Sequence, residues 1–161
     1  MKTVVIGPPP PELQQLIQRR RSLGLDRFDE VWEGNLHLAP VPGFGHAYIE
    51  REVARVLRPF ADAAGLIETG PFNLGRASDF RVPDGGYHRS VPEGDGVYVT
   101  RAALVVEVVS TDDETFEKFP FYACLLYTSL LVMGQAPSSH HGPSAAHDAG
   151  DPFDGQVNVA Q

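Results

Sequence analysis

The chain is poor in cysteine, in positive charge and in long apolar runs. Its one cysteine, Cys124, excludes an intramolecular disulfide and a cysteine-rich zinc site. Thirteen Lys and Arg face 21 Asp and Glu, leaving a formal charge of -8. That balance argues against a general nucleic-acid binder, so any contact with DNA would need a local basic patch or a bound cation. No segment approaches the roughly 20 apolar residues needed to span a bilayer. The first residues show neither a basic start nor a long apolar stretch of the secretory kind. The expectation is a soluble, cytoplasmic protein with no membrane partner. With 161 residues and 42% apolar content, one domain with a real core is expected.

Punctuation along the chain divides it into three parts. Pro8 to Pro11 give residues 1–10 the character of a Pro-rich stub. Residues 11–123 carry the secondary-structure signals. Leu13, Leu16 and Ile17 predict a helix from Pro11 to Ser22, closed by Gly24. Phe28 to Leu38 reads as strand, turn and strand, with the turn at Gly34-Asn35. The clearest helix covers His46 to Ala64, with Ile49, Val53, Val56, Leu57 and Phe60 on one face and a kink or break at Pro59. Arg51, Arg55 and Arg58 fall on its solvent side. Short strands follow over 66–74, 80–82 and 97–99, and Tyr87-His88 extends the second. Leu104 to Val109, apolar on both faces, predicts a central strand. Ser110 to Glu114 resembles a helix cap, leading into a helix that ends near Ala123. From residue 124 the composition changes, and the Gly-, Pro-, Ser- and His-rich stretch to residue 161 predicts a disordered tail.

Glu107 stands out because it interrupts the most apolar run of the chain, Leu104-Val105-Val106-Glu107-Val108-Val109. Burying an ionised carboxylate is costly unless something pairs with it. Upstream lies Val82-Pro83-Asp84 and downstream Lys118. Two carboxylates at one cleft can share a divalent cation, which activates water and stabilises phosphate charge. A nearby lysine can orient that water or neutralise developing charge. Taken singly, each residue has a plainer reading. Asp84 suits a Pro-Asp-Gly-Gly turn, Glu107 suits an ion pair with an arginine, and Lys118 suits a solvated helix face. Glu30 and Glu33 read as outward-facing, and His46 as an ordinary histidine near a helix start. The order of the set is what favours chemistry.

These segments resemble the Uma-two family (domain of unknown function 820, DUF820), restriction endonucleases of the PD-(D/E)xK superfamily. Phe28 to Gly34 is similar to that family's early Y-E-L-I-D-G element, and Pro40 to His46 to its P-x-P-x-x-x-H loop. Phe80-Arg81-Val82-Pro83-Asp84 is similar to its R-x-P-D strand. Val105 to Ser110, with Lys118 and Tyr122-Ala123, is similar to V-V-E-V-x-S…K…Y-A. The resemblance implies a prokaryotic protein with an α/β fold, a mixed sheet flanked by helices, and Mg²⁺- or Mn²⁺-dependent hydrolysis of DNA; a homo-oligomer is a further expectation that the sequence leaves open. It makes Asp84 and Glu107 metal ligands, Lys118 the catalytic lysine, Glu30 an auxiliary acid and His46 a further site residue.

Two departures qualify it. Val109 stands where the superfamily places its lysine, two residues after the glutamate. Beyond Ala123 the family's next core strand has no counterpart, so the expectation is a fold lacking its C-terminal strand, with residues 124–161 unrelated. A catalytically inactive nuclease-fold protein used for binding or assembly, and a small-molecule phosphodiesterase, remain open at this point.

Overall fold

A computed structural model describes residues 3–91, 96–109, 114–134 and 157–160. The expected cap at Ser110–Asp113, and most of the expected tail, lie outside them. Helix α1 (Pro11–Ser22) begins with proline, whose missing N–H is no loss at a helix start, and ends in three arginines. Strands β2 (Glu30–Trp32) and β3 (Asn35–Leu38) form a hairpin. Its turn falls at Glu33-Gly34, one residue earlier than expected, because both carry the positive φ (49° and 86°) that a tight hairpin requires. Thr3–Val5, within the expected stub, form β1 and pair antiparallel with β3.

Helix α2 (Phe44–Ala63) runs through Pro59 without ending there. Ile49, Val53, Leu57 and Ala61, a row of every fourth residue, pack with Tyr87 and Val106. Val56 and Phe60, expected on that face, are instead exposed on its flank. The remaining strands are β4 (Ile67–Thr69), β5 (Asn73–Arg76), β6 (Asp79–Arg81), β7 (Gly85–His88), β8 (Tyr98–Val99) and β9 (Ala102–Val109). A 3₁₀ turn (Thr115–Lys118) leads into α3 (Phe119–Leu125), β10 (Leu126–Gly134) and β11 (Val157–Ala160). No described helix is long and apolar enough to cross a membrane.

The strands form two mixed sheets. One has the order β1-β3-β2-β6-β5-β8 and the other β11-β10-β9-β7-β4. The chain passes between sheets at Val82-Pro83-Asp84, where proline has no N–H to continue a ladder. β9 is the middle strand of its sheet, as its two-sided apolar pattern requires. Successive residues of β9 face opposite sides. Val106 meets α2, while Val105 joins Leu74, Tyr122 and Val132. Glu107 shares the parity of Val105 and so faces the α3 side.

The C-terminal strand is not missing. β10 pairs parallel with β9, Leu130 to Val105 through Gly134 to Val109. The resemblance had no counterpart for this segment, but its apolar residues supply a strand, and buried Val132 packs into the core beside β9. Parallel neighbours need a crossover. Here the 3₁₀ turn and α3 provide it, which lays Lys118 and Tyr122 over β9.

Gly75 tests this packing. It has φ of +128°, and an added Cβ would run into the Asp79 carbonyl across the β5–β6 pair, which is backbone and cannot rotate away. Gly75→Ala is expected to destabilise the chain by about 2–3 kcal/mol in urea unfolding. A change under about 0.5 kcal/mol would contradict this packing.

Candidate active site

Glu107, on the central strand, is 3% exposed. Its Oε1 lies 3.3 Å from Lys118 Nζ, and the same oxygen accepts the Tyr122 hydroxyl. Lys118 and Tyr122 stand four residues apart, one on the 3₁₀ turn and one on α3, so one side of one short segment delivers both donors. Lys118 is 4% exposed rather than solvated. It is also bound 2.8 Å from Glu30 Oε1, which brings β2 of the other sheet to the cluster.

Glu30 is equally buried, at 3% exposure, correcting its reading as an outward residue. Its Oε1 also accepts the Val82 N–H (2.8 Å), and its Oε2 accepts the Trp32 indole N–H (2.7 Å). Trp32 is itself held between neighbours. His37 stacks on it at 4.3 Å, and the Arg81 guanidinium sits 4.4 Å from its ring and 4.1 Å from that of Phe121 on α3. Arg81 thereby ties the first sheet to the segment carrying Lys118.

Asp84, at the passage between sheets, is buried. Its Oδ2 accepts the Val108 N–H at 2.7 Å, fixing the carboxylate against β9 beside Glu107. Its Oδ1 lies 2.7 Å from His46 Nε2, near the start of α2. Glu50, one turn after His46, lines the cleft on that side together with Asp84, Arg51 and Glu68.

The electrostatics reflect three crowded acids. Burial pushes the Glu107 carboxyl up to about 7; Lys118 and Tyr122 oppose the rise, while Asp84 and Glu30 add to it. Burial disfavours charge on Lys118, but Glu107 and Glu30 outweigh it and hold the ammonium above its ordinary value. Tyr122 is raised by burial and by Glu107, so it stays a donor. Glu50 is raised by burial and by Asp84.

All five expected residues therefore lie in one region. Glu30, Lys118 and Glu107 form one bonded chain, and Asp84 with His46 forms a second beside it. Sequence reasoning gave no role to Tyr122, Trp32 or Glu50. Tyr122 carries a signal in falling one helical turn after Lys118; the spacing of Glu50 one turn after His46 is a slight one, and Trp32 carries none.

Among the described residues, no three His, Cys, Asp or Glu side chains form a ready-made metal cage. The donor set still suits a hard cation. Asp84 raises the proton affinity of both Glu107 and Glu50, a repulsion that a divalent ion would relieve. Magnesium commonly takes one or two carboxylates and completes its shell with water.

Two mixed sheets flanked by three helices form a restriction-endonuclease-like α/β fold. A solved structure of a candidate nuclease belonging to DUF820, from Anabaena variabilis ATCC 29413, shares it with a TM-score of 0.56 and 13% sequence identity. The match covers 66% of this chain and 65% of that one. No protein-family model matches the sequence, and no curated protein matches it.

Proposed function

We propose that the chain is a metal-dependent endonuclease that hydrolyses DNA phosphodiester bonds. One observation carries the reading. A buried lysine is shared by two buried carboxylates, Glu30 and Glu107, and a third, Asp84, is fixed beside them on a nuclease-like fold. A core built only for stability has little use for such a cluster, because apolar residues of similar volume serve as well or better.

Asp84 and Glu107 would hold Mg²⁺ or Mn²⁺, with waters completing the shell. When bound, the cation supplies Lewis-acid polarisation of the phosphate and activation of water. The remaining roles belong to the chain's own groups. Lys118 stays protonated between its two acids and presents positive charge where the pentavalent phosphate gathers negative charge. Glu30 keeps that ammonium oriented. Tyr122 fixes the Glu107 carboxylate, and His46 together with the Val108 N–H fixes that of Asp84. Glu107 would favour its ionised form with a cation bound, and its proton would pass to solvent.

Plasmid cleavage with Mg²⁺ or Mn²⁺ tests the proposal. Asp84→Ala and Glu107→Ala are each expected to lower the rate by about 100-fold or more. Unchanged cleavage in both variants would overturn the mechanism. A second reading, a nuclease-fold protein that binds DNA or assembles without cutting, is favoured by one observation: Glu107 Oε1 and both Asp84 oxygens already accept bonds from the chain's own groups. DNA retention without cleavage under either metal would select it.

A further inference from the structure

An acidic chain that cuts DNA must meet the strand somewhere, and its average charge offers no help. The two clefts around α2 show where. The cleft at Asp84 is walled by Glu50, Arg51, Ala54 and Glu68. A second, more open trough along α2 is walled by Arg51, Glu52, Ala54, Arg55, Arg58 and Glu68. Arg51, Ala54 and Glu68 belong to both, so a continuous surface leads from Asp84 to Arg58.

Arg51, Arg55 and Arg58 stand at intervals of four and three residues, which places them on one stripe of the helix. The stripe is about 10 Å long at 1.5 Å per residue, comparable to three base-pair steps of duplex rise at about 3.4 Å each. Arg51 forms no salt bridge among the described residues. Arg55 pairs with Glu52 at 2.7 Å, and Arg58 pairs with Asp62 at 2.8 Å and more loosely with Glu68 at 3.8 Å, with both arginines exposed. Exposed pairs of this kind contribute about 1 kcal/mol or less, so a phosphate can replace the carboxylate at little cost. Elsewhere, Arg20 is engaged with Asp29 and Arg81 is buried between aromatic rings.

We propose that Arg51, Arg55 and Arg58 form the track that receives the DNA backbone on its way from Asp84. Arg51, at the junction of the two clefts, takes the phosphate nearest the site. Arg55 and Arg58 take the phosphates beyond it, Arg55 turning away from Glu52 and Arg58 from Asp62 and Glu68. The proposal rests on the nuclease reading and gives it a direction: the strand runs along α2, over the edge of the sheet at β4.

Salt dependence of binding tests it, because each neutralised phosphate steepens the fall of log K with log salt by about 0.9. A labelled DNA duplex is titrated by fluorescence anisotropy, with calcium replacing magnesium to limit cleavage. Against the unaltered chain, Arg51→Gln is expected to flatten the slope by about 0.9, and the triple variant Arg51→Gln/Arg55→Gln/Arg58→Gln by about 2.7. A second triple variant, Arg19→Gln/Arg21→Gln/Arg76→Gln, makes the same change in net charge at exposed sites outside both clefts, and its slope is expected to stay that of the parent. Equal slopes for all four proteins would overturn the track and leave DNA binding standing, as would equal flattening in both triple variants. Failure of the unaltered chain to bind the duplex would overturn the nuclease reading and the track together.

Discussion

Lys118→Met is expected to lower the thermal midpoint by about 10 °C, corresponding to a loss of about 3–5 kcal/mol. The side chain keeps its volume, so the loss is electrostatic. Two carboxylates, Glu30 at 2.8 Å and Glu107 at 3.3 Å, are left in the core without their shared cation. Replacing one of them as well separates this from simple misfolding. Glu30→Gln/Lys118→Met removes a stranded charge and keeps one acceptor oxygen, so one of the Val82 and Trp32 N–H groups retains its partner and the other loses it. It is expected to recover a substantial part of the lost stability while plasmid cleavage stays absent. If Lys118→Met melts with the parent protein, the lysine does not hold the two acids, and its place in the mechanism falls too.

Metal-free stability is expected to fall as pH rises from about 5 to 8, by an amount on the order of 3 kcal/mol attributable to Glu107. The Glu107 carboxyl titrates near 7 in the folded chain against an ordinary value of 4.5, so the folded state holds the proton more tightly than the unfolded one. Its contribution is fully present below 4.5 and is lost as pH climbs through 7. Glu50, also raised, acts in the same direction. Glu107→Gln removes the titration and is expected to flatten the profile of thermal midpoint against pH. Magnesium compensates the ionised carboxylates, so it is expected to raise the midpoint more at pH 8 than at pH 5. A flat metal-free profile, or equal magnesium shifts at both pH values, would count against a buried, cation-seeking Glu107.

Much of this fold can be read from residue patterns. Helices α1 and α2 follow from apolar spacing, and β9 follows from an unbroken run of Val and Leu around one acid. The nuclease-like architecture follows from four ordered segments, and the structural likeness supports it. The misreadings share a cause: each residue was judged against its own element. Glu30 alternates like a surface residue, yet the partner that buries it comes from a segment 88 positions later. Lys118 looks solvated on a local helix, but the crossover turns it inward. A further signal was present, since Lys118 is one of two lysines in a chain that otherwise uses arginine for its cations. An ammonium fits between two carboxylate oxygens as a compact point charge, where a planar guanidinium would need more room. β10 escaped detection because its residues have no clean alternation, and only the place beside β9 makes them a strand.

Glu107 Oε1 receives both Lys118 and Tyr122, and both arrive on the segment that joins β9 to β10. Seating of that segment therefore works as a latch rather than a dial. If it lifts, ammonium and phenol depart in one motion, while Asp84 and Glu107 stay anchored to their strands. The acids alone would then form a bare, repelling pair, and the lysine would return only with the whole segment. Tyr122 is also a fully buried member of the core with Leu74, Val105 and Val132, so seating of the segment and closure of the core between the two sheets are one event.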